Sequence, residues 1–323
     1  MTHAIRCHQT GGPDVLHWEK VEVGAPGPNQ IRIRHTAIGL NFIDTYHRSG
    51  LYSLPLPFIP GMEAAGVVEA LGSNVTDLKL GDRVAYGAVL GAYTEERVID
   101  ADKVVKIPDE ITDIQAAAMM MQGMTAQYLL RRVYPVKAGD TILVHAAAGG
   151  VGLILCQWAR KLGATVIGTV SSDAKAELAK ANGCHHTIVY TREDFRNRVL
   201  TLTENRKLPV VYDSIGKDTF LQSLDCLQPL GLMVCFGQAS GPIPPFDIGL
   251  LAQKGSLYLT RPTINTFVNT PSELRAMAKE LFDIVLAEDV KIAVNQTYPL
   301  KDAATAHRDL EARKTTGSTV LMV

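Results

Sequence analysis

A glycine-rich turn is the part of this sequence whose spacing points most directly to chemistry. Residues 145–152 read HAAAGGVG, follow the apolar run TILVHA and precede a helical pattern. Gly149 and Gly152 match the second and third glycines of the G-x-G-x-x-G dinucleotide fingerprint, with Ala147 in the first position. Such a turn brings backbone N–H groups and a helix N-terminus to a pyrophosphate. We therefore predict that residues 149–152 bind a dinucleotide; the alternative is a turn without a ligand.

The end of the next predicted strand distinguishes between nicotinamide cofactors. NAD-binding folds usually carry an acidic residue there, which binds both ribose hydroxyls. Here the strand ATVIGTV ends in Ser171 and Ser172, and Lys175 follows shortly after. Two hydroxyls and an ammonium suit a 2′-phosphate, which a carboxylate would repel, and so we predict NADPH as the cofactor. Asp173 is better explained as a helix N-cap, and the alternative for Lys175 is an ordinary solvated lysine.

The elements around this turn predict an α/β fold. After residue 112, helical patterns alternate with nearly continuous apolar runs, as expected for strands covered by helices on both faces. Repeated strand–helix units of this kind form a doubly wound parallel sheet with right-handed crossovers. The first third is instead β-rich, with strand candidates at 31–38, 63–71, 82–87 and 92–99. A strand is also predicted at Ser256–Arg261.

Composition excludes several other classes of protein. The 323 residues suggest about two domains. Lys+Arg 32 against Asp+Glu 33 gives a net charge of −1, which supplies no basic footprint for nucleic acid or an anionic membrane. Five scattered cysteines form no CxxC pair and no disulfide framework. Neither a signal peptide nor a run of about 18 apolar residues is recognisable, and we expect a cytoplasmic location.

Six motifs along the chain together resemble one family of enzymes. They are AIGLNFID (37–44), PGMEAAG (60–66), GDRV (81–84), AAAGGVG (146–152), GLMVCFG (231–237) and SLYLTRP (256–262). On these motifs, from about residue 4 to the C-terminus, the chain resembles a zinc-free medium-chain dehydrogenase/reductase of the zeta-crystallin-like NADPH:quinone oxidoreductase branch. The resemblance implies a GroES-like β-rich catalytic domain (1–123 and 265–323) and a Rossmann dinucleotide-binding domain (124–264).

The residue at position 62 bears on the reaction. Zinc alcohol dehydrogenases of this superfamily have Gly-His-Glu where this chain has Gly61-Met62-Glu63, and no cysteine lies between Cys7 and Cys156. We therefore expect no metal, because catalytic zinc needs three N, S or O ligands from the protein. Alcohol oxidation would lose its Lewis acid, whereas a quinone or an enone is already electrophilic.

The predicted function is NADPH-dependent reduction of quinones, by hydride or one-electron transfer in a cleft between the two domains. The alternatives are an NADPH-dependent reductase of enones and other α,β-unsaturated carbonyl compounds, or a non-catalytic NADPH-binding protein of crystallin or RNA-binding type. The low basic charge argues against nucleic acid as a partner. In this superfamily the edge strand at Ser256–Arg261 pairs with its two-fold mate, and so the resemblance implies a homodimer.

The resemblance also implies a set of site residues. The predicted catalytic residues are Asn41, Asp44, Tyr46 and Tyr52. For two of them a structural role is the alternative: Asp44 as a solvent-facing carboxylate on a helical turn, and Tyr52 as a packed aromatic residue of a loop. The nicotinamide half is assigned to Asn41, Phe42, Ile43, Asp44, Thr45, Thr125 and Tyr128, the pyrophosphate to Gly149, Gly150, Val151 and Gly152, and the 2′-phosphate to Ser171, Ser172, Lys175 and Tyr190. The nicotinamide or its ribose is assigned to Phe236, Gly237, Gln238 and Ala239, and the remaining contacts to Pro262, Thr263, Ile264 and Arg313.

Overall fold

Strands and helices cover most of the chain in the computed structural model, which describes residues 2–323. The strands are β1 (Thr2–Arg6), β2 (His17–Val21), β3 (Gln30–Leu40), β4 (Glu63–Leu71), β5 (Arg83–Gly87), β6 (Glu96–Asp100), β7 (Val105–Lys106), β8 (Thr141–Val144), β9 (Thr165–Val170), β10 (His186–Val189), β11 (Leu208–Asp213), β12 (Leu227–Cys235), β13 (Tyr258–Thr260), β14 (Val294–Pro299) and β15 (Ser318–Met322).

The helices fall mostly in the second half of the chain. The α-helices are α1 (Phe42–Ser49), α2 (Asp113–Tyr128), α3 (Gly150–Lys161), α4 (Asp173–Ala181), α5 (Phe195–Leu202), α6 (Phe220–Asp225), α7 (Gly249–Gln253), α8 (Pro271–Leu286) and α9 (Ala303–Glu311). A π-helical turn, Leu129–Val133, directly follows α2. Short 3-10 turns lie at Pro13–Val15, Ala101–Lys103, Ile264–Thr266 and Leu300–Asp302.

The chain divides into two compact units that alternate along the sequence. Unit one contains the chain up to Met124, together with Val268–Leu286 and Ile292–Val323. Unit two contains Thr125–Phe267 and Ala287–Lys291.

Unit two is built on a parallel sheet with the strand order β10-β9-β8-β11-β12-β13. The inner strands β8, β9 and β11 are largely buried aliphatic runs, and Ile142, Ile167 and Val211 are each 0% exposed. Because β8 lies at the point where the strand order reverses, the loops after β8 and β11 diverge and open a crevice at the carboxyl edge. The predicted doubly wound parallel sheet is therefore confirmed.

Unit one contains a mostly antiparallel sheet around the long strand β3. Its order is β14-β15-β3-β4-β5-β7, and β6 also pairs with β3. The residues of β3 alternate between two faces of the sheet. Ile31 and Ile33 face the core, whereas Arg32 and Arg34 point away from it. The pair β14 and β15 is parallel, unlike the rest of this sheet.

Several predicted elements differ in extent from the observed ones. The strand expected at 92–99 begins only at Glu96, because the loop before it turns Tyr93 into the core. The strand expected at Ser256–Arg261 is limited to Tyr258–Thr260, since Ser256 has a φ of 57° that strands do not use. Within residues 2–323, no helix has both the length and the apolar composition needed to cross a bilayer.

Gly39 provides a test of the packing in unit one. A Cβ on Gly39 would overlap the carbonyl of Ala117 and the carboxyl of Glu63, whereas a Cβ on Gly24 would meet open space. We expect Gly39→Ala to lower the free energy of unfolding by roughly 3 kcal/mol, the usual scale of overpacking. The control Gly24→Ala should change it by less than about 0.5 kcal/mol. Urea unfolding measures both, and equal effects would contradict this packing.

Candidate dinucleotide-binding and active site

The turn between β8 and α3 has the geometry of an anion site. Ala146, in this turn, has a left-handed backbone conformation with a φ of 52°, and the Gly149 N–H donates to the Ala146 carbonyl at 2.9 Å. A Cβ on Gly152 would overlap the Ala146 carbonyl and come within 2.9 Å of the Ala147 Cα. Glycine at position 152 is therefore required for α3 to begin this close to the strand.

The N-terminus of α3 is available to a ligand. No side chain caps it, and the first hydrogen bond across its start is from Leu153 N–H to the Gly149 carbonyl, at 2.9 Å. The N–H groups of Gly150, Val151 and Gly152 precede that bond and point out of the helix, along its dipole. A pyrophosphate would satisfy these donors, so the turn fits the predicted dinucleotide.

The predicted 2′-phosphate residues lie together at the ends of β9 and β10. Ser172 is the N-cap of α4, and its Oγ accepts the Lys175 N–H at 3.4 Å. Ser171 is linked to the neighbouring loop by the Thr191 hydroxyl, which donates to its carbonyl at 3.3 Å. Tyr190 N–H donates to the Val170 carbonyl at 3.1 Å. Residues 171, 172 and 175 therefore lie next to one another at the carboxyl edge of the sheet, beside the loop that begins at Tyr190.

Asp173 has a different role from the one expected. The expectation that it caps α4 is wrong, because Ser172 takes that position. Asp173 instead forms a two-pronged ion pair with Arg192, in which Nη1 and Oδ2 are 2.7 Å apart. The sequence analysis missed Arg192, which lies 19 residues away and adds a guanidinium to the same edge.

The segment after β12 packs against the loop that follows β11. Phe236 N–H donates to the Asp213 carbonyl at 2.8 Å, and Ala239 N–H donates to the Ser214 carbonyl at 3.0 Å. A Cβ on Gly237 would approach the Ser214 carbonyl to 2.6 Å, so this residue too is limited to glycine. Gln238 is carried by this segment at the same carboxyl edge as the turn before α3.

The remaining predicted residues of unit two lie close to an aromatic stack in the sequence. The rings of Tyr128 and Phe267 are parallel within 4° with centroids 4.5 Å apart, and the guanidinium of Arg132 covers Phe267. Thr125 is buried one turn before Tyr128, whose pKa burial raises to about 12. Phe267 was not anticipated. Pro262, Thr263 and Ile264 lead into the 3-10 turn just before it.

In unit one, Asn41 is the centre of a buried hydrogen-bond network. Its side-chain amide donates to Glu63 Oε1 at 2.6 Å, and its Oδ1 accepts from the amide of Gln122 at 3.3 Å. Ser318 Oγ donates in turn to Gln122 Oε1 at 2.6 Å. Three elements, β4, α2 and β15, therefore hold the residue that begins α1.

Two buried carboxyl groups flank Asn41. Asp44 Oδ2 accepts from the Asn41 N–H at 2.9 Å and from the Tyr93 hydroxyl at 3.0 Å. Burial raises the pKa of Asp44 to about 7 and that of Glu63 to about 8, although hydrogen bonds to both oppose the rise. Asp44 is 0% exposed, so the alternative of a solvent-facing carboxylate is wrong.

Two predicted catalytic residues, Tyr46 and Tyr52, lie on α1 and on the loop that follows it. The rings of Tyr46 and Tyr52 meet edge to face with centroids 5.2 Å apart, and His47 contacts Tyr52 in the same way. Tyr52 N–H donates to the Tyr46 carbonyl at 3.1 Å, which fixes the loop on the helix. Tyr46 is buried and Tyr52 half-buried, so both alternatives for Tyr52 stay open.

The other predicted residues of unit one lie on α1 and after α9. Phe42 and Ile43 form the first turn of α1, and the hydroxyl of Thr45 donates to the Phe42 carbonyl at 2.7 Å. Arg313 is exposed after α9, and its N–H donates to the Leu310 carbonyl at 3.0 Å. Among the described residues, no group of three or more His, Cys, Asp or Glu side chains is arranged to hold a metal ion.

Comparison with known proteins assigns the family. Residues 27–109 match the family model described as alcohol dehydrogenase GroES-like domain, and residues 150–283 match zinc-binding dehydrogenase. The chain is 54% identical over 324 residues to a quinone oxidoreductase of Pseudomonas aeruginosa, covering 100% of both. The chain belongs to the quinone oxidoreductase family of medium-chain dehydrogenases/reductases. The predicted family and the two-part α/β fold class are therefore confirmed.

Two further proteins are similar to this chain over nearly its whole length. The chain is 48% identical to the 2-haloacrylate reductase of a Burkholderia species, covering 100% of this chain and 99% of the relative. The crystal structure of Escherichia coli quinone oxidoreductase complexed with NADPH is 47% identical, with a TM-score of 0.98 over 99% of this chain and 100% of the other.

The buried Asp44 predicts an unusual dependence of stability on pH. Its pKa rises from 3.8 to about 7 on folding, so its contribution to stability is full at low pH and is lost as the pH rises through 7. Between pH 5 and 9, Asp44→Asn should gain roughly 2–3 kcal/mol of unfolding free energy relative to wild type. Urea unfolding at both pH values measures this gain.

A control for this experiment is Asp82→Asn. Lys106 and the Lys79 N–H hold the pKa of Asp82 below its ordinary value, so this carboxyl stays ionised over the whole range in both states. The difference between this variant and wild type should therefore not change with pH. An equally flat difference for Asp44→Asn would contradict the burial of a titrating carboxyl.

Proposed function

We propose that this protein reduces quinones with NADPH. The observation that carries this proposal is similarity over the whole chain to proteins named quinone oxidoreductase, at 54% and 48% identity. The related Escherichia coli structure is complexed with NADPH, and the turn before α3 has the free N–H groups that such a dinucleotide needs. Bound NADPH supplies reducing equivalents as hydride.

Each end of the cofactor has its own set of residues in unit two. The turn at residues 149–152 binds the pyrophosphate, because the N–H groups of Gly150, Val151 and Gly152 precede the first hydrogen bond of α3 and no side chain caps the helix. Ser171, Ser172, Lys175 and Tyr190 hold the 2′-phosphate. The segment 236–239 lies on the same carboxyl edge and approaches the nicotinamide or its ribose, with Thr125, Tyr128 and residues 262–264.

The acceptor side is assigned to unit one. Asn41 and residues 42–45 contact the nicotinamide half, and Arg313 completes the site. Tyr46 and Tyr52 present aromatic edges and hydroxyls to a planar acceptor. A quinone is electrophilic enough to need positioning more than activation, which agrees with a methionine at position 62 where zinc enzymes have histidine. We assign residues 1–123 and 265–323 to the catalytic domain and 124–264 to the dinucleotide-binding domain.

The choice of acceptor is tested by steady-state oxidation of NADPH. We expect turnover with simple benzoquinones and naphthoquinones and slower turnover with enones. No quinone turnover above the uncatalysed rate would reject the proposal. Faster turnover with 2-haloacrylates or enones would favour the second candidate, reduction of α,β-unsaturated carbonyl compounds, which the 48% identity to a 2-haloacrylate reductase supports.

The preference for NADPH is tested at Lys175. Replacing Lys175 by alanine removes one charge from the 2′-phosphate site, and the KM for NADPH should rise about tenfold, the usual scale of a charge-assisted contact. The KM for NADH should stay unchanged, because NADH lacks that phosphate. Lys180→Ala is the matched control, since Lys180 lies on the same helix and pairs with Glu177 at 2.9 Å. Equal losses with both cofactors would reject the assignment.

We further propose a cytoplasmic homodimer. The strand β13 is the outer strand of the unit-two sheet, and its residues Tyr258 and Leu259 are exposed apolar side chains. Pairing of this edge with a second copy would cover both side chains and the unpaired backbone groups. Light scattering should then give a mass twice 35.0 kDa. A mass near one chain in dilute solution would reject the dimer.

A further inference from the structure

Behind α1, a line of hydrogen bonds connects a surface carboxylate to the buried Asp44. Glu311 accepts from Arg48 through both oxygens, at 2.6 and 3.0 Å, and Arg48 Nη1 also lies 3.2 Å from His307 Nδ1. His307 Nε2 and the Tyr93 hydroxyl are 3.0 Å apart, and that hydroxyl is 3.0 Å from Asp44 Oδ2. Except for Glu311, every member of this line is buried.

The chemistry of the line fixes the direction of its hydrogen bonds. Arg48 can only donate, so His307 Nδ1 must accept. The proton of the neutral imidazole then lies on Nε2 and is donated to the Tyr93 oxygen. The Tyr93 hydroxyl in turn donates its proton to Asp44 Oδ2. Burial, aided by the charge of Arg48, lowers the pKa of His307 to about 3, which keeps this ring neutral.

Asp44 receives both of its hydrogen bonds on one oxygen. Oδ2 accepts from Tyr93 and from the Asn41 N–H, whereas Oδ1 is buried and has no hydrogen-bond partner within residues 2–323. A proton on this carboxyl therefore belongs on Oδ1. We propose that Tyr93, His307 and Arg48 are positioning residues that confine the Asp44 proton to Oδ1 and set the pH at which the enzyme loses activity.

This inference rests on the proposed function, because it concerns the charge beside the acceptor. Quinone reduction builds negative charge on an oxygen of the acceptor, and an ionised Asp44, within the segment 41–45 assigned to the nicotinamide half, opposes it. The neutral acid is thus the active form. The groups that face Asp44 or its hydroxyl partner are Glu63 on β4, Tyr93 before β6, Cys7 after β1, Arg48 on α1 and His307 on α9.

Two substitutions should move the pH profile in opposite directions. Activity with a quinone should fall as the pH rises through about 7, where Asp44 ionises. Tyr93→Phe removes a hydrogen bond to the carboxylate. The falling limb of the plot of activity against pH should therefore move up by about one pH unit. Glu311→Gln leaves the charge of Arg48 unbalanced, which favours the carboxylate and should move the limb down. General destabilisation cannot produce shifts of opposite sign.

Tyr86→Phe is the matched control. Tyr86 is as buried as Tyr93 and bonds His35 at 3.0 Å, not Asp44. Its loss should leave the pH limb in place. A limb that stays fixed in Tyr93→Phe, or activity that rises with pH through this range, would overturn the proposal.

Infrared spectroscopy of the protein without cofactor separates this inference from the proposed function. The carbonyl band of the protonated carboxyl, identified by its loss in Asp44→Asn, should titrate near pH 7 in wild type and about one unit higher in Tyr93→Phe. If wild type reduces no quinone, the proposed function fails, while these titrations still test how Asp44 is held. Equal midpoints in the two proteins would contradict the positioning role.

Discussion

The close approach of α3 to the sheet at Gly152 is the constraint on which the dinucleotide-binding unit depends. Any larger residue would collide with the Ala146 carbonyl and push the helix away. Only at this distance do the uncapped N–H groups of α3 reach the crevice between the diverging loops after β8 and β11. The loops after β9, β10 and β12 end at the same edge, and they carry the residues predicted to bind the 2′-phosphate and to approach the nicotinamide or its ribose.

Buried polar groups organise unit one in a comparable way. Glu63 accepts from the Met121 N–H and from Asn41, each at 2.6 Å, and thereby joins β4 to α2 and to the start of α1. Asp44 adds the second carboxyl, held by Tyr93. Neither carboxyl could be buried without these donors, because desolvation of a charge is costly. Asn41 and Asp44, which are predicted to contact the nicotinamide half, are therefore held by hydrogen bonds and not by apolar packing alone.

Local patterns in the sequence were sufficient to predict much of this fold. The alternation in β3 and the apolar run of β9 are visible in short stretches of sequence, and the observed β9, Thr165–Val170, lies within the predicted strand ATVIGTV. The partners of Asp44 and Asp173 were not predictable in this way. Tyr93 and His307 are 214 residues apart, and Arg192 and Asp173 meet only because β9 and β10 are paired in the sheet. Such contacts depend on the tertiary fold and leave no periodic signal.

The position of bound NADPH is the central point, and a crystal structure of the NADPH complex tests it most directly. We expect the pyrophosphate within hydrogen-bond distance of the Gly150 and Val151 N–H groups. We also expect the 2′-phosphate among Ser171, Ser172, Lys175 and Tyr190. A dinucleotide bound away from the start of α3, or a 2′-phosphate directed into solvent, would show that these residues do not form the cofactor site.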